Sequence, residues 1–507
     1  MSPRGHVVAL TIAAWGHAKA TCTLLTKIVR FRNVHATLFT PLFLYDQTRK
    51  EISNNFVPGS EDDLKELIRV VGIESSTLPI DFTQLTSNFL DGYRKLCTSQ
   101  TVQTTPTSDD YHSAIPPPQL VIMDFFAYDA FQGVRQETGR AVPIFALEST
   151  SASAVLFLWG PENLGGNGDL SKKLEVITEK EEKAVMAEAD KIYRRVKGEL
   201  LTIPGLPPMY DHEFSPQEPF MDFPIAFVNA RAHRFFVECD GMIMNTTPIL
   251  EKEAIAAIKE WLVDKPIICP APFDYPVIPT KNDKPAVTDE VHDFLNAALH
   301  KHGPHSVVYM SFGSTWWTKH PEKIWAALDV LIESGIPFMF SRASPFATVP
   351  DEIETKIKES GLGYISKWLP QTSIFKHEAC GWFVTHCGHN SFTEAITAGV
   401  PMICWPFDID HPVNAALISD VLKVGYELFE TRSWHGLRPI HRLGNKCPEG
   451  TLDAFKREFK EVLSKATGED GKLKRANAQK LRDKVARSWE ADGEAWSEIK
   501  RIDDVLH

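Results

Sequence analysis

Short, unbroken apolar runs recur along this 507-residue chain, separated by longer stretches with helical spacing. His6–Ala14 (HVVALTIAA), Gln119–Phe126 (QLVIMDFF), Gly241–Asn245 (GMIMN) and Ser306–Gly313 (SVVYMSFG) are such runs, and 337–341, 381–386 and 401–406 repeat the pattern. A strand with one face in water alternates apolar and polar residues; an unbroken run reads as a strand covered on both faces. Strands of that kind belong to parallel sheets, whose crossovers are helices. After the first run, a short loop leads to Leu24, Leu25, Ile28 and Val29 at helical spacing. The expected class is α/β, doubly wound.

The chain is too long for one ordinary core, so two domains are expected. Between Pro266 and Pro285 the segment ICPAPFDYPVIPTKNDKP carries five prolines and no helical period, and it reads as a linker. The expected organisation is a first Rossmann-like domain at 1–265, a linker at 266–286 and a second such domain at 287–480. Residues 481–507 are expected to form a terminal helix that packs back on the first domain. A polar stretch, TSQTVQTTPTSDD at 98–110, is expected to be a mobile loop.

A net charge of −12 disfavours a nucleic-acid partner, since phosphate backbones attract basic surfaces. No stretch reaches the ~20 apolar residues of a membrane span. The eight cysteines are scattered with no Cys-x-x-Cys pair, which points to a reduced, cytoplasmic setting. The sequon Asn245-Thr246-Thr247 follows an apolar run and is expected to face the core. No G-x-G-x-x-G, no G-x-x-x-x-G-K-[ST] and no G-x-S-x-G is present, so dehydrogenase, ATPase and hydrolase readings lose their usual marks. His377-Glu378 opens like H-E-x-x-H, but Gly381 stands where the second histidine is needed.

The stretch VTHCGHNSFTE, Val384–Glu394, concentrates polar chemistry. GWFVTH reads as a strand, CGHN as a tight loop, and Ser391-x-x-Glu394 as a capping box opening a helix that Gly399 ends. The N–H groups at such a helix start, with the dipole, make an anion site. A metal at Cys380, His386, Cys387 and His389 is disfavoured, because adjacent strand residues point oppositely and the ligand gaps are wrong. A purely structural loop remains open on these residues alone.

From Trp368 to His411 the sequence reads WLPQTSIFKHEACGWFVTHCGHNSFTEAITAGVPMICWPFDIDH. This segment resembles the signature box of the UDP-sugar-dependent family 1 glycosyltransferases, two-domain enzymes of GT-B fold. Trp368, Pro370, Gln371, His377, Gly381, Phe383, His386, Gly388, Asn390, Ser391, Glu394, Gly399, Pro401, Pro406 and Asp410 carry the match. VVYMSFGS (307–314), NTTPILE (245–251) and Gly16-His17 resemble further family segments in the right order.

The resemblance implies a UDP-sugar co-substrate and no cofactor or metal. On the donor side it implies uracil on Trp368, with Leu369 beside it and Gln371 near the uridine. Gly313, Ser314, His386 and the backbone from Gly388 through His389 and Asn390 to Ser391 would meet the diphosphate. Glu394 would take the ribose hydroxyls, in competition with capping, and Asp410 with His411 would meet the sugar. His411 stands where the family often has Gln, and His389 where plant members often have Trp, so the donor sugar is less determined than UDP; glucose is expected. His17 matches the family's base and Asp124 its carboxylate partner, although Ala20 stands where proline is frequent. A histidine near neutral pKa can take a proton from a hydroxyl, and a carboxylate can hold its tautomer. The expected reaction is an inverting single displacement.

Trp15, Phe125 and Phe126 adjoin these residues in sequence and suit a lipophilic phenol, terpenoid, sterol or xenobiotic, or are simply core. Two rival functions are a GT-B-fold UDP-sugar epimerase and a non-catalytic nucleotide-sugar binder.

Overall fold

The structure is a computed structural model that describes residues 5–77, 81–221, 224–270, 272–273 and 289–506. Two parallel sheets organise it. The first contains β1 (His6–Leu10), β2 (His35–Pro41), β3 (Ile68–Ile73), β4 (Leu120–Asp124), β5 (Ile144–Glu148), β6 (Gly241–Met244) and β7 (Ile267–Ile268), in the order β7-β6-β5-β4-β1-β2-β3. The second contains β8 (Val307–Ser311), β9 (Phe338–Ser341), β10 (Gly363–Ser366), β11 (Cys380–Thr385), β12 (Met402–Cys404) and β13 (Gly425–Glu427), in the order β10-β9-β8-β11-β12-β13. Both are doubly wound, and in each the strand order reverses at one place: between β1 and β4, and between β8 and β11. Ligands of open α/β sheets bind at such reversals, beyond the carboxyl ends of the strands.

The unbroken runs are strands because both of their faces are buried. In β8, Val307 and Tyr309 join the large core that runs on from the first sheet, while Val308 and Met310 face a second core with Trp405, Phe455 and Phe459. Neighbouring side chains on a strand point to opposite faces, so an all-apolar run serves two cores at once. The strands are shorter than the runs; the first ends at Leu10 rather than Ala14. The first helix, α1 (Trp15–Phe31), buries Leu24, Leu25, Ile28 and Val29 as their spacing required.

Several expectations are corrected. Residues 98–110 are not a free loop: Val102–Gln103 pairs antiparallel with Tyr111–His112, and Thr104 O accepts from Gly72 N at 2.8 Å beside β3. The 480/481 division falls inside a helix, Glu469–Ser488, because nothing in RANAQKLRDK interrupts helical propensity. Most of the expected linker, at 271 and 274–286, lies outside the described residues. The terminal segment does lie on the first sheet's domain. Trp489 packs under Lys27, Trp496 lies against Phe31, and Arg501 Nη1 donates to Ile267 O at 2.7 Å. Cys269 N donates to Glu498 Oε2 at 3.0 Å. Among the described residues, no helix is long and apolar enough to cross a membrane.

Candidate functional site

At the first reversal, β1 and β4 are neighbours, with Leu10 beside Met123. The chain leaves β1, turns through Thr11–Ala14 and enters α1 at Trp15, so His17 sits in the first turn of a helix. Asp124 is the last residue of β4. Its Oδ2 lies 2.6 Å from His17 Nδ1, and its Oδ1 accepts from Phe126 N at 3.0 Å. The two residues stand 107 positions apart in the chain, and the sheet alone brings them together. Burial opposes charge on the His17 ring; the Asp124 carboxylate and its hydrogen bond, with Asp410 beyond, outweigh it and raise the pKa above the usual value. With Nδ1 engaged by Asp124, Nε2 is the ring nitrogen left to act as a base.

Phe125 and Phe126 lie 5.5 and 5.8 Å from the His17 ring, centre to centre, and Phe125 also packs on Trp159. Phe125 is buried, so it serves the core as well as the site; Phe126 and Trp15 are half-buried at the cavity. Glu148 ends β5 with its Oε1 accepting from Thr150 N at 2.8 Å. Burial, with the charge of Asp124 nearby, pushes its carboxyl well above the usual range.

At the second reversal, β8 ends in the turn Phe312-Gly313-Ser314, where Gly313 has φ +76°. β11 ends at Thr385, and Cys387 takes φ +70°, a conformation non-glycine residues seldom adopt. Gly388 then caps a helix, α2 (His389–Ala398), that closes at Gly399 with φ +73°. His386 is wedged between the two turns: a Cβ on Gly388 would lie 2.4 Å from its Nε2, and one on Gly313 2.8 Å. Burial, helped by neighbouring His411, drives its pKa well below the usual value, so the ring is neutral and donates through one nitrogen only.

The capping box is corrected. The helix starts at His389, two residues before the expected cap, and no side chain caps it. Ser391 and Glu394 instead face Gln371, whose Nε2 donates to Ser391 Oγ at 3.2 Å and to Glu394 Oε2 at 2.7 Å. Glu394 also pairs with Lys19 of α1. His389, which could have been a solvated loop residue, is buried and its Nε2 donates to Asn245 O at 2.7 Å. Asn390 Nδ2 donates to Gly16 O at 2.9 Å. The loop and the helix it opens are therefore stitched to the first half at three places. Asn245 is itself fully buried, as its sequon context implied.

Asp410 precedes a short helix, α3 (His411–Ala416), and its Oδ2 accepts from Thr150 Oγ1 at 2.8 Å and Asn414 Nδ2 at 2.9 Å. His411 is buried edge-on to Trp316 and to His386, at 4.9 and 4.7 Å between ring centres. Burial pushes its pKa down to about 3. Trp368 is 55% exposed, an open aromatic face, while Leu369 beside it is buried.

One cavity of about 1650 Å³ joins the two reversals. Every candidate residue borders it except Asp124, which lies behind His17. Sequence reasoning missed Lys19, Ser149, Thr150 and Asn414. Thr150 carried a faint signal in the run IFALEST, an apolar strand ending in hydroxyls. Glu251 of NTTPILE accepts from Ala152 N and Ser153 N at 2.9 Å each, fixing the helix that starts just after Thr150. Among the described residues, no group of three His, Cys, Asp or Glu side chains could hold a metal ion.

Comparison with known proteins bears on this geometry. Residues 181–431 match the family model described as UDP-glucoronosyl and UDP-glucosyl transferase. A UDP-glycosyltransferase of Hericium erinaceus is 34% identical over 331 residues, covering 63% of this chain and 65% of that protein, just under two thirds of its length. An anthocyanidin 3-O-glucosyltransferase of Vitis vinifera is 40% identical over 131 residues, 26% of this chain and 28% of that one. Among solved structures, a UDP-glycosyltransferase of Phytolacca americana complexed with UDP-2-fluoro-glucose and pterostilbene superimposes with a TM-score of 0.69 at 20% identity, covering 99% of both chains. At that identity the likeness speaks for the fold, which is GT-B. With the signature loop and the two reversals in agreement, residues 181–431, just under half of the chain, carry a domain of the UDP-glucoronosyl and UDP-glucosyl transferase family.

Proposed function

We propose that this protein transfers a hexose from a UDP-sugar, glucose first among the candidates, to a hydroxyl of a lipophilic small molecule with inversion at the anomeric carbon. The observation that carries the reading is the His17–Asp124 pair, 2.6 Å apart, bordering the same cavity as the loop from His386 to Ser391. His17 Nε2 takes the acceptor's hydroxyl proton as the acceptor oxygen bonds to the anomeric carbon. The bond from that carbon to the UDP oxygen breaks on the opposite face, and Asp124 stabilises the imidazolium formed. Negative charge on departing UDP meets the N–H groups at the start of α2, Ser314 and the neutral His386 donor, so this reading assigns no step to a metal. Uracil lies on Trp368, the ribose takes Gln371 and Glu394, and Asp410 with His411 meets the sugar.

The cavity volume supports two substrates held together, since it exceeds the ~1,000 Å³ at the top of the range for single-ligand sites. The acceptor wall of Ile12, Phe82, Phe125, Phe126, Trp159 and Ile225 is apolar and aromatic, which supports a flat or polycyclic alcohol or phenol. Relatives named for anthocyanidin and flavonol substrates agree with that class.

Thermal unfolding with UDP, UDP-glucose, UDP-galactose, UDP-glucuronate and NAD tests the donor half without a guess at the acceptor. A ligand at a hundred times its Kd adds about 2.7 kcal/mol, so stabilisation by UDP compounds and not by NAD is the expected result. No response to any UDP compound would overturn the reading. A panel of phenols and terpenoid alcohols with the best donor, followed by product analysis, then tests transfer.

A further inference from the structure

The turn that carries Asp410 and His411 is held by a group from the opposite half of the molecule. Arg194 ends the helix Glu182–Arg194, whose residues Met186, Ala187 and Asp190 border the cavity on the acceptor side. Its guanidinium makes a two-pronged ion pair with Asp408, Nη1 to Oδ1 at 2.9 Å and Nη2 to Oδ2 at 3.0 Å. Its Nε is taken by Asp190 at 2.9 Å, and the planar group lies over Trp434 at 5.4 Å. Arg194 is 7% exposed and Asp408 5%, so the pair is buried. A forked guanidinium–carboxylate contact fixes orientation as well as distance.

The residues after Asp408 need that fixing. Ile409 has φ +56°, and a β-branched residue in the left-handed region is strained and persists only where its surroundings hold it there. The backbone N–H of Asp408 donates to His411 Nδ1 at 3.4 Å, which turns that ring. Asp410 is held through Thr150 and Asn414. The Asp408 carboxylate is thus the charged anchor immediately before the strained residue, and its partner is on the acceptor half.

We propose that Arg194 is a positioning residue for the sugar end of the donor: through Asp408 it sets the 408–411 turn so that Asp410 and His411 meet the hexose. The proposal rests on the glycosyltransferase reading above and adds a residue outside the signature segment. Its consequence is selective. Uracil, ribose and diphosphate lie on other residues, so loss of the Arg194 contact weakens recognition of the sugar and leaves recognition of UDP alone.

Calorimetric Kd values for UDP and for UDP-glucose on the full chain test this. In Arg194→Lys and Arg194→Met, the ratio of the UDP-glucose Kd to the UDP Kd rises about tenfold over the parent, while the UDP Kd stays within about twofold; a misplacement near 1 Å is enough for such losses. Removing one partner of a buried pair can prevent folding, whereas replacing both by apolar groups is often near neutral. Arg194→Met/Asp408→Leu therefore supplies a folded variant with the same expected ratio. A change in general stability moves Tm but not this ratio. An unchanged ratio in folded variants, or equal weakening of both ligands, overturns the role of Arg194 and leaves the glycosyltransferase reading standing. A parent that binds neither ligand overturns both.

Discussion

The two strand-order reversals are built alike and carry different information. At the donor-side reversal, between β8 and β11, most of the site comes from one continuous segment, Trp368 to His411, together with the Gly313-Ser314 turn. At the acceptor-side reversal, between β1 and β4, two side chains 107 positions apart meet in one hydrogen bond. On the proposed reading, the donor side presents backbone N–H groups, glycines and neutral histidines to a fixed ligand group, the diphosphate. The acceptor side offers one hydrogen-bonded histidine–aspartate pair beside an aromatic wall. On that reading the site for the invariant ligand is written locally, and the site for proton transfer is assembled by the sheet.

That contrast breaks most sharply at His17. His17→Ala is expected to lower turnover by about 10²–10⁴-fold while the UDP Kd, measured by calorimetry, stays within about twofold. Loss of UDP binding in this variant would mean that the two sides are one unit. Asp124→Asn is expected to cost about 10²-fold in kcat/KM, since the tautomer and the imidazolium lose their support. It also shifts pH dependence. His17 acts in its neutral form, and Asp124 raises its pKa, so activity falls as pH drops through that raised value. Without the carboxylate the pKa falls, and the acid limb of the kcat/KM profile moves to lower pH. A limb that stays in place would remove His17 as the titrating base.

On the donor side the effects are smaller and of binding type. Gly388→Ala drives a methyl to 2.4 Å from His386 Nε2, an overpacking that costs about 1–3 kcal/mol. UDP binding should weaken roughly tenfold while His17-dependent proton transfer is retained at saturating donor. His411→Gln should change the UDP-glucose to UDP-galactose rate ratio by about fivefold, the scale of a single hydrogen bond. Equal ratios in variant and parent would release His411 from the sugar. In the parent this ratio should stay flat from about pH 5 to pH 8, because a ring with a pKa of about 3 does not titrate there.

The same contrast explains what the sequence let a reader see. The strands at the two reversals, β1, β4, β8 and β11, were visible because both faces are apolar. Others were not, β5 (IFALE) in the first sheet's interior among them. β2, HATLFTP, carries polar Thr37 and Thr40, and β3, IRVVGI, buries Arg69, whose charge is met by Ser113 O and Thr37 Oγ1. A buried arginine with two oxygen partners breaks an apolar run without breaking the strand. β10 and β13 are four and three residues long, too short for any period to register. The small pairing at Val102–Gln103 hid in a polar stretch for the same reason. Within the site, the signature segment marked its own residues, yet the capping box misled: S-x-x-E spacing was right, but Gly388 capped the helix first and Lys19 and Gln371 claimed the glutamate. Lys19 and Arg194 had no local mark, and Thr150 only a faint one, because each acts on a residue far along the chain.

The terminal helices return to the first domain. The chain leaves the first sheet at Ile267–Ile268, and its last segment comes back beside that point, with Arg501 bonded to Ile267 O and Glu498 to Cys269 N. The second crossing between the two sheets, through the helix Glu469–Ser488, is thus anchored where the first sheet ends. Cutting the chain after Ser488 would remove that anchor and leave the edge at Ile267–Ile268 without its cover.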